Sequence, residues 1–124
     1  MNTPEFLHYI SIASILGFSG LGGCIGEGLA GWGGLGIVAR QPQVSRELYR
    51  ALFMGLVLVE TGPIIALVLA LVLLFQGAPT TVGAALGECG IAFVISCTTM
   101  SMCIASGNVV RSALESMGKQ PFII

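Results

Sequence analysis

Glu60 is the only charged residue in Leu52–Phe75, the run LFMGLVLVETGPIIALVLALVLLF. A helix rises about 1.5 Å per residue, so this run can cross a hydrocarbon core of roughly 30 Å. Glu60 stands about ten residues past Arg50, roughly 15 Å along such a helix and close to mid-membrane. A carboxylate at that depth is costly and marks a path for protons or small cations rather than a packing role. A second acid, Glu27, belongs to the preceding apolar segment, and the midpoint of Glu27 and Glu60 falls between Gln43 and Val44, inside the polar stretch that joins the two segments. If these segments fold back on one another, both carboxyls reach similar depth. In low dielectric such a pair does not ionise twice cheaply; it holds a shared proton, or a cation such as Na⁺, and titrates as a unit. The other arrangement turns Glu27 away, for instance toward a water-filled cavity.

Two neighbours bear on the same chemistry. Pro63 has no N–H, which leaves the Val59 carbonyl, four residues back, without its helical partner and available as an acceptor beside Glu60. The Thr61 hydroxyl can donate to a carboxylate or present a hard oxygen to a cation, or it can bond back to its own helix. The possible Na⁺ ligands are therefore Glu27, Glu60 and Thr61, with the Val59 carbonyl beside them.

The elements that position these groups are transmembrane helices. Among 124 residues 9% are charged and net charge is −1. Mean hydropathy is +0.95. These values belong to an integral membrane protein and give no basic surface for nucleic acid. The expected fold is all-α. An antiparallel transmembrane hairpin occupies residues 1–75, with helices over about 6–39 and 48–75 and a polar loop at 40–50. Residues 76–124 supply a third transmembrane helix, about Val82–Val110 with Glu88 near its outer end as an interfacial acid, and a polar tail. All five basic residues, Arg40, Arg46, Arg50, Arg111 and Lys119, fall on one side of a three-span path. The positive-inside rule puts the loop and C-terminus in the cytoplasm and the N-terminus outside. The N-terminal MNTPEFLHYI has no basic run of the kind that opens a cleaved signal peptide.

The chain repeats itself. Cys24-Ile25-Gly26-Glu27-Gly28 matches Cys103-Ile104-Ala105-Ser106-Gly107 at an offset of 79, and the same offset carries Ala39-Arg40-Gln41-Pro42 onto Gly118-Lys119-Gln120-Pro121. The third helix is a second copy of the first, with Ser106 in place of Glu27, and the copy breaks off at the polar stretch that in the first leads on to helix two. Gly20, Gly22, Gly26 and Gly28 fall at alternate positions around Cys24, and Gly31, Gly33, Gly34 and Gly36 continue the series. This gives a small-residue face broad enough for close neighbours on both sides, as in a ring of identical helices; the other arrangement is one close pair within a monomer. No Lys or Ser follows the glycines in the manner of a phosphate-binding loop. The cysteines, Cys24, Cys89, Cys97 and Cys103, lack metal-ligand spacing and are expected as small residues buried in helix contacts.

Together the Gly20–Gly28 run, Ala39-Arg40-Gln41-Pro42, and Met54-Gly55-Leu56-Val57 leading to Glu60 resemble the c subunit, or proteolipid, of the F-type rotary ATP synthase over about residues 6–75. The resemblance implies a non-catalytic subunit that forms a rotor ring with copies of itself in membrane lipid. Glu60 would carry the ion, and Gly20, Gly22, Gly26 and Gly28 would pack the inner ring. Arg40, Gln41 and Pro42 would touch the central-stalk subunits, and Glu60 would pass the a subunit of the stator. It implies an energy-coupling membrane such as the bacterial inner membrane. No cofactor is implied, only a transported ion. Glu27 and Thr61 match features of sodium-binding members. Gly23, Gly62 and Ile65 depart from them, and Pro63 is shared with some proton-carrying members. The balance favours H⁺, with Na⁺ the alternative. The third helix departs from the ordinary two-helix pattern. A small proton-coupled secondary transporter acting as a homodimer would also place an acid at mid-membrane, but leaves the Arg-Gln-Pro loop and the alternating glycines unexplained.

Overall fold

The computed structural model describes residues 2–119 as three long helices. Helix α1 runs Thr3–Arg40, a single 3₁₀ turn covers Pro42–Val44, α2 runs Ser45–Gln76 and α3 runs Val82–Lys119. All three are long and apolar enough to cross a membrane, and no strand occurs among the described residues. The chain is thus an all-helical membrane protein.

Local chemistry sets the helix ends. Asn2 and Glu5 form a capping box at the start of α1, the Asn2 N–H donating to Glu5 Oε2 at 2.9 Å. This satisfies N–H groups that the first turn leaves without partners. Pro4 occupies the first turn, where its missing N–H costs nothing. At the far end α2 stops before Gly77, whose φ of +80° is the left-handed conformation that favours glycine. Pro63 lies inside α2 without ending it.

Two boundaries differ from expectation. The polar loop expected over 40–50 shrinks to Gln41–Val44, because Ser45–Arg50 are already helical. Polar residues at the head of a helix that projects beyond the bilayer read as a loop, yet nothing there breaks the helix after Pro42. For the same reason α3 continues past Val110 through Arg111 and Ser112 to Lys119, with an Arg111–Glu115 pair at 2.9 Å along its surface. The last part of the expected tail, 120–124, lies outside the described residues, and with it the Gln120-Pro121 end of the repeat.

The helices pack at two registers that can be read from their glycines. Against α2, Gly23 meets Pro63, Gly26 meets Val59 and Gly34 meets Leu52, each pair centred within half a residue of position 43, so the hairpin is antiparallel. Against α3, Gly22 meets Met100, Gly26 meets Cys103 and Gly107, and Gly33 meets Arg111. These separations lie between 77 and 81, so α3 runs parallel to α1 at the offset of the internal repeat. Helix α2 lies in the groove between them, with Gly55 against Val110 and Gly62 against Cys103.

Ala30, Leu48, Leu52, Val110 and Leu114 form one apolar cluster near the turn, and Ile15, Ala66, Ala70 and Ala92 form another toward the opposite end. Lipid is as apolar as these side chains, so close packing rather than removal from water holds the spans together. The buried hydroxyls of Ser11, Ser19, Ser96 and Thr99 each donate to a carbonyl one turn back in their own helix. Glu88, expected as an interfacial acid, is the partner of buried His8, with Nδ1 to Oε1 at 2.7 Å.

Candidate functional site

The site is built where α1 and α2 are pressed together by glycine. Glu27 follows Gly26, which touches Val59, and Glu60 follows Val59 in turn. On α1, Glu27 shares a face with Gly23 and Gly34, the glycines that meet α2. On α2, Glu60 stands one turn before Pro63, which meets Gly23. The two carboxyl groups are close neighbours across the α1–α2 contact. Glu60 is exposed on the surface of the single chain and Glu27 is half-buried beneath it.

Among the described residues the ion pairs are His8–Glu88 and Arg111–Glu115, so neither Glu27 nor Glu60 has a basic partner among them. Charge on neighbouring carboxyls in an apolar span without a counter-charge is costly.

The flanking groups divide. The Thr61 hydroxyl donates to the Leu58 carbonyl at 2.7 Å, the local arrangement open to it, which uses its proton and leaves its oxygen lone pairs. The carbonyl of Val59, which Pro63 deprives of its helical donor, is used by a different group than expected: it accepts from the Cys103 thiol of α3 at 3.5 Å. Val59 therefore turns this carbonyl to α3 and not to the acid pair. Pro63 places its ring against Gly23.

The glycines of the sequence series separate into two stripes. Gly22 and Gly26 are buried against α3, where a β-carbon on Gly22 would come within 2.6 Å of the Met100 backbone. Gly20 and Gly28 are exposed, with no neighbour at the position a β-carbon would take. At the turn, Arg40 and Pro42 are exposed and Gln41 is half-buried. The cysteines differ from expectation in the single chain: Cys103 is buried and Cys89 half-buried, but Cys24 and Cys97 are exposed.

Cys103 is the residue at the site that sequence reasoning did not assign. A signal existed: Pro63 creates an unpaired carbonyl at a known depth, and the repeat places Cys103 at the depth of Cys24. What the repeat does not give is the rotation of α3 that aims the thiol at Val59.

Comparison with known proteins gives a consistent result. Residues 10–73 match the family model for the ATP synthase C subunit. The chain is 43% identical over 76 residues to ATP synthase c-subunit 2 of Cereibacter sphaeroides, covering 59% of this chain and 92% of that protein. It is 40% identical over 68 residues to the ATP synthase c subunit of Exiguobacterium sibiricum, covering 55% of this chain and 97% of that protein. Over 63 residues it is 40% identical to the ATP synthase c subunit of Alkaliphilus oremlandii, covering 51% and 72%. The family match takes in Glu27, the turn and Glu60, and ends before α3.

Proposed function

The chain belongs to the ATP synthase C-subunit family, and on that premise we propose that it is an ion-translocating rotor-ring subunit whose carrier is Glu60. It is a non-catalytic, integral membrane component of that complex. The observation that supports the carrier assignment is that Glu27 and Glu60 are neighbours on a membrane hairpin with no basic partner among the described residues.

Loaded with an ion, Glu60 is neutral enough to face lipid as the ring turns. At the stator, an arginine of the a subunit displaces the ion and stabilises the bare carboxylate, and reloading from the other side completes the passage. Glu27 holds the loaded proton by sharing it. The favoured ion is H⁺, since the Thr61 hydroxyl and the Val59 carbonyl both have protein partners that a Na⁺ shell would have to compete with. Arg40, Gln41 and Pro42, at the tip of the hairpin, contact the central stalk. The membrane is the bacterial inner membrane, with the turn and C-terminus cytoplasmic and the N-terminus outside.

Labelling purified rings with a hydrophobic carbodiimide tests the reading, because this reagent modifies a protonated carboxyl in apolar surroundings. Peptide mapping should find Glu60 modified, with labelling that falls as pH rises. Suppression by Na⁺ at constant pH would make sodium the ion. Absence of labelling at Glu60 under every condition, or a dimer in place of a ring on native mass analysis, would overturn the rotor assignment.

A further inference from the structure

The α1–α3 contact joins two different faces of a repeated helix. Helix α1 offers Ile15, Ser19, Gly22, Gly26, Ala30 and Gly33, and α3 offers Ala92, Ser96, Thr99, Cys103, Gly107 and Val110, all buried. Subtracting the repeat offset carries the α3 set onto Ala13, Gly17, Gly20, Cys24, Gly28 and Gly31 of α1. Most of that stripe is exposed: Ala13, Gly17, Gly20, Cys24 and Gly28, with Gly31 half-buried. Adding the offset carries the α1 set onto Val94, Thr98, Ser101, Ala105, Val109 and Ser112 of α3, and all six are exposed. The contact is therefore head-to-tail. It leaves free the same two half-interfaces that it uses, one on each outer flank of the chain.

The free faces are built of small residues. Within the chain α1 brings the glycines Gly22, Gly26 and Gly33 to Met100, Cys103 and Arg111 of α3. On the free faces α3 has Ser101, Ala105 and Ser112 at the glycine positions, and the exposed α1 stripe includes Gly17, Gly20, Cys24 and Gly28. Both free stripes carry small side chains, as close helix approach requires. The α3 hydroxyls are prepared for an apolar contact: Thr98 donates to the Val94 carbonyl at 2.8 Å and Ser101 to the Cys97 carbonyl at 2.7 Å.

We propose that α3 occupies the place of a neighbouring protomer's inner helix, and that its free face docks on the α1 glycine stripe of a second copy of this chain. A head-to-tail contact that closes on itself makes a ring, here an inner ring in which α1 and α3 alternate. Each Glu27–Glu60 pair then serves two inner helices instead of one. This rests on the rotor-ring reading above and specifies how this chain builds the ring.

The Gly26–Cys103 contact within the chain corresponds, across copies, to Ala105 against Cys24. The test uses the full chain with Cys89→Ser, Cys97→Ser and Ala105→Cys, oxidised in the membrane and compared with the same chain lacking Ala105→Cys. Expected is a covalent ladder extending beyond the dimer, with the peptide around position 105 joined to the peptide around Cys24. Intact rings on native mass analysis without that link would overturn the proposal and leave the rotor reading standing. Monomers or dimers only, in the unsubstituted chain, would overturn both. Should the substituted chain not assemble, maleimide labelling of the native ring decides. Cys24 should be protected relative to the dissociated chain while Cys97 stays reactive; equal reactivity of Cys24 in ring and dissociated chain overturns the proposal.

Discussion

Gly26 of α1 and Gly107 of α3 touch backbone to backbone, at the same depth as the acid pair and one residue before Glu27. A β-carbon on either would collide with the facing main chain. Gly26→Ala and Gly107→Ala should each loosen α3 from the hairpin, with a cost of about 1–3 kcal/mol for overpacking. The check is the temperature at which purified protein loses its fold in detergent, which should fall in both. Gly83→Ala is the control, since no neighbour occupies that space. It should hold or raise the temperature, because alanine is the better helix former by up to about 1 kcal/mol.

The thiol of Cys103 is enclosed between Gly62 and the Val59 carbonyl. In the dissociated chain, maleimide should modify Cys24 and Cys97 rapidly, and Cys103 only after denaturation. Cys103→Ala should cost about 1 kcal/mol by leaving the Val59 carbonyl without a donor. Adding Pro63→Ala should offset part of that loss by restoring the helical N–H. Thermal midpoints of the two single variants and the double variant measure the coupling, and strict additivity would mean that the two groups do not share the carbonyl.

The register of the hairpin was legible because an antiparallel pair joined by a short turn leaves one variable, the centre of the turn. Gln43 and Val44 supplied it, and Gly23–Pro63 and Gly34–Leu52 pack about the same centre. Loop length was less legible. Arg46, Glu47 and Arg50 are polar whether they coil or extend a helix into water, and composition does not distinguish the two. The offset of 79 announced that α3 copies α1, but a repeat does not specify contact. That the copies lie side by side at that same offset, through opposite faces, depends on helix rotation, which near-uniform apolar segments hardly encode. The same reason hid the Cys103–Val59 bond and the His8–Glu88 pair.

His8 is 2% exposed and Glu88 15%, so each is shielded from water that could replace the other. Glu88→Ala leaves a buried imidazole without its acceptor and should destabilise the α1–α3 contact by about 1–3 kcal/mol. Glu88→Gln keeps an acceptor oxygen and should lose less. His8→Phe with Glu88→Leu, which removes both polar partners, should recover much of the stability lost by Glu88→Ala. Thermal unfolding of these variants in detergent at one pH tests the ordering, and an Ala variant as stable as the parent would show the pair to be without structural weight.

The two acids of the candidate site should respond differently to neutralisation. Glu60→Gln keeps the shape and removes the proposed carrier group, so rings should assemble while ATP-driven ion pumping in vesicles falls to background. Glu27→Gln keeps a hydrogen-bonding partner for Glu60 and removes only the second ionisable group. Pumping should persist, with its pH profile displaced or a Na⁺ dependence altered, because Glu60 then faces a neutral amide in place of a second carboxyl. Reconstituted complexes assayed across pH, with and without Na⁺, separate the cases. Full pumping by Glu60→Gln would remove Glu60 as the carrier. An inactive Glu27→Gln with normal assembly would move Glu27 from partner to essential carrier, and the one-ion site to a two-carboxylate one.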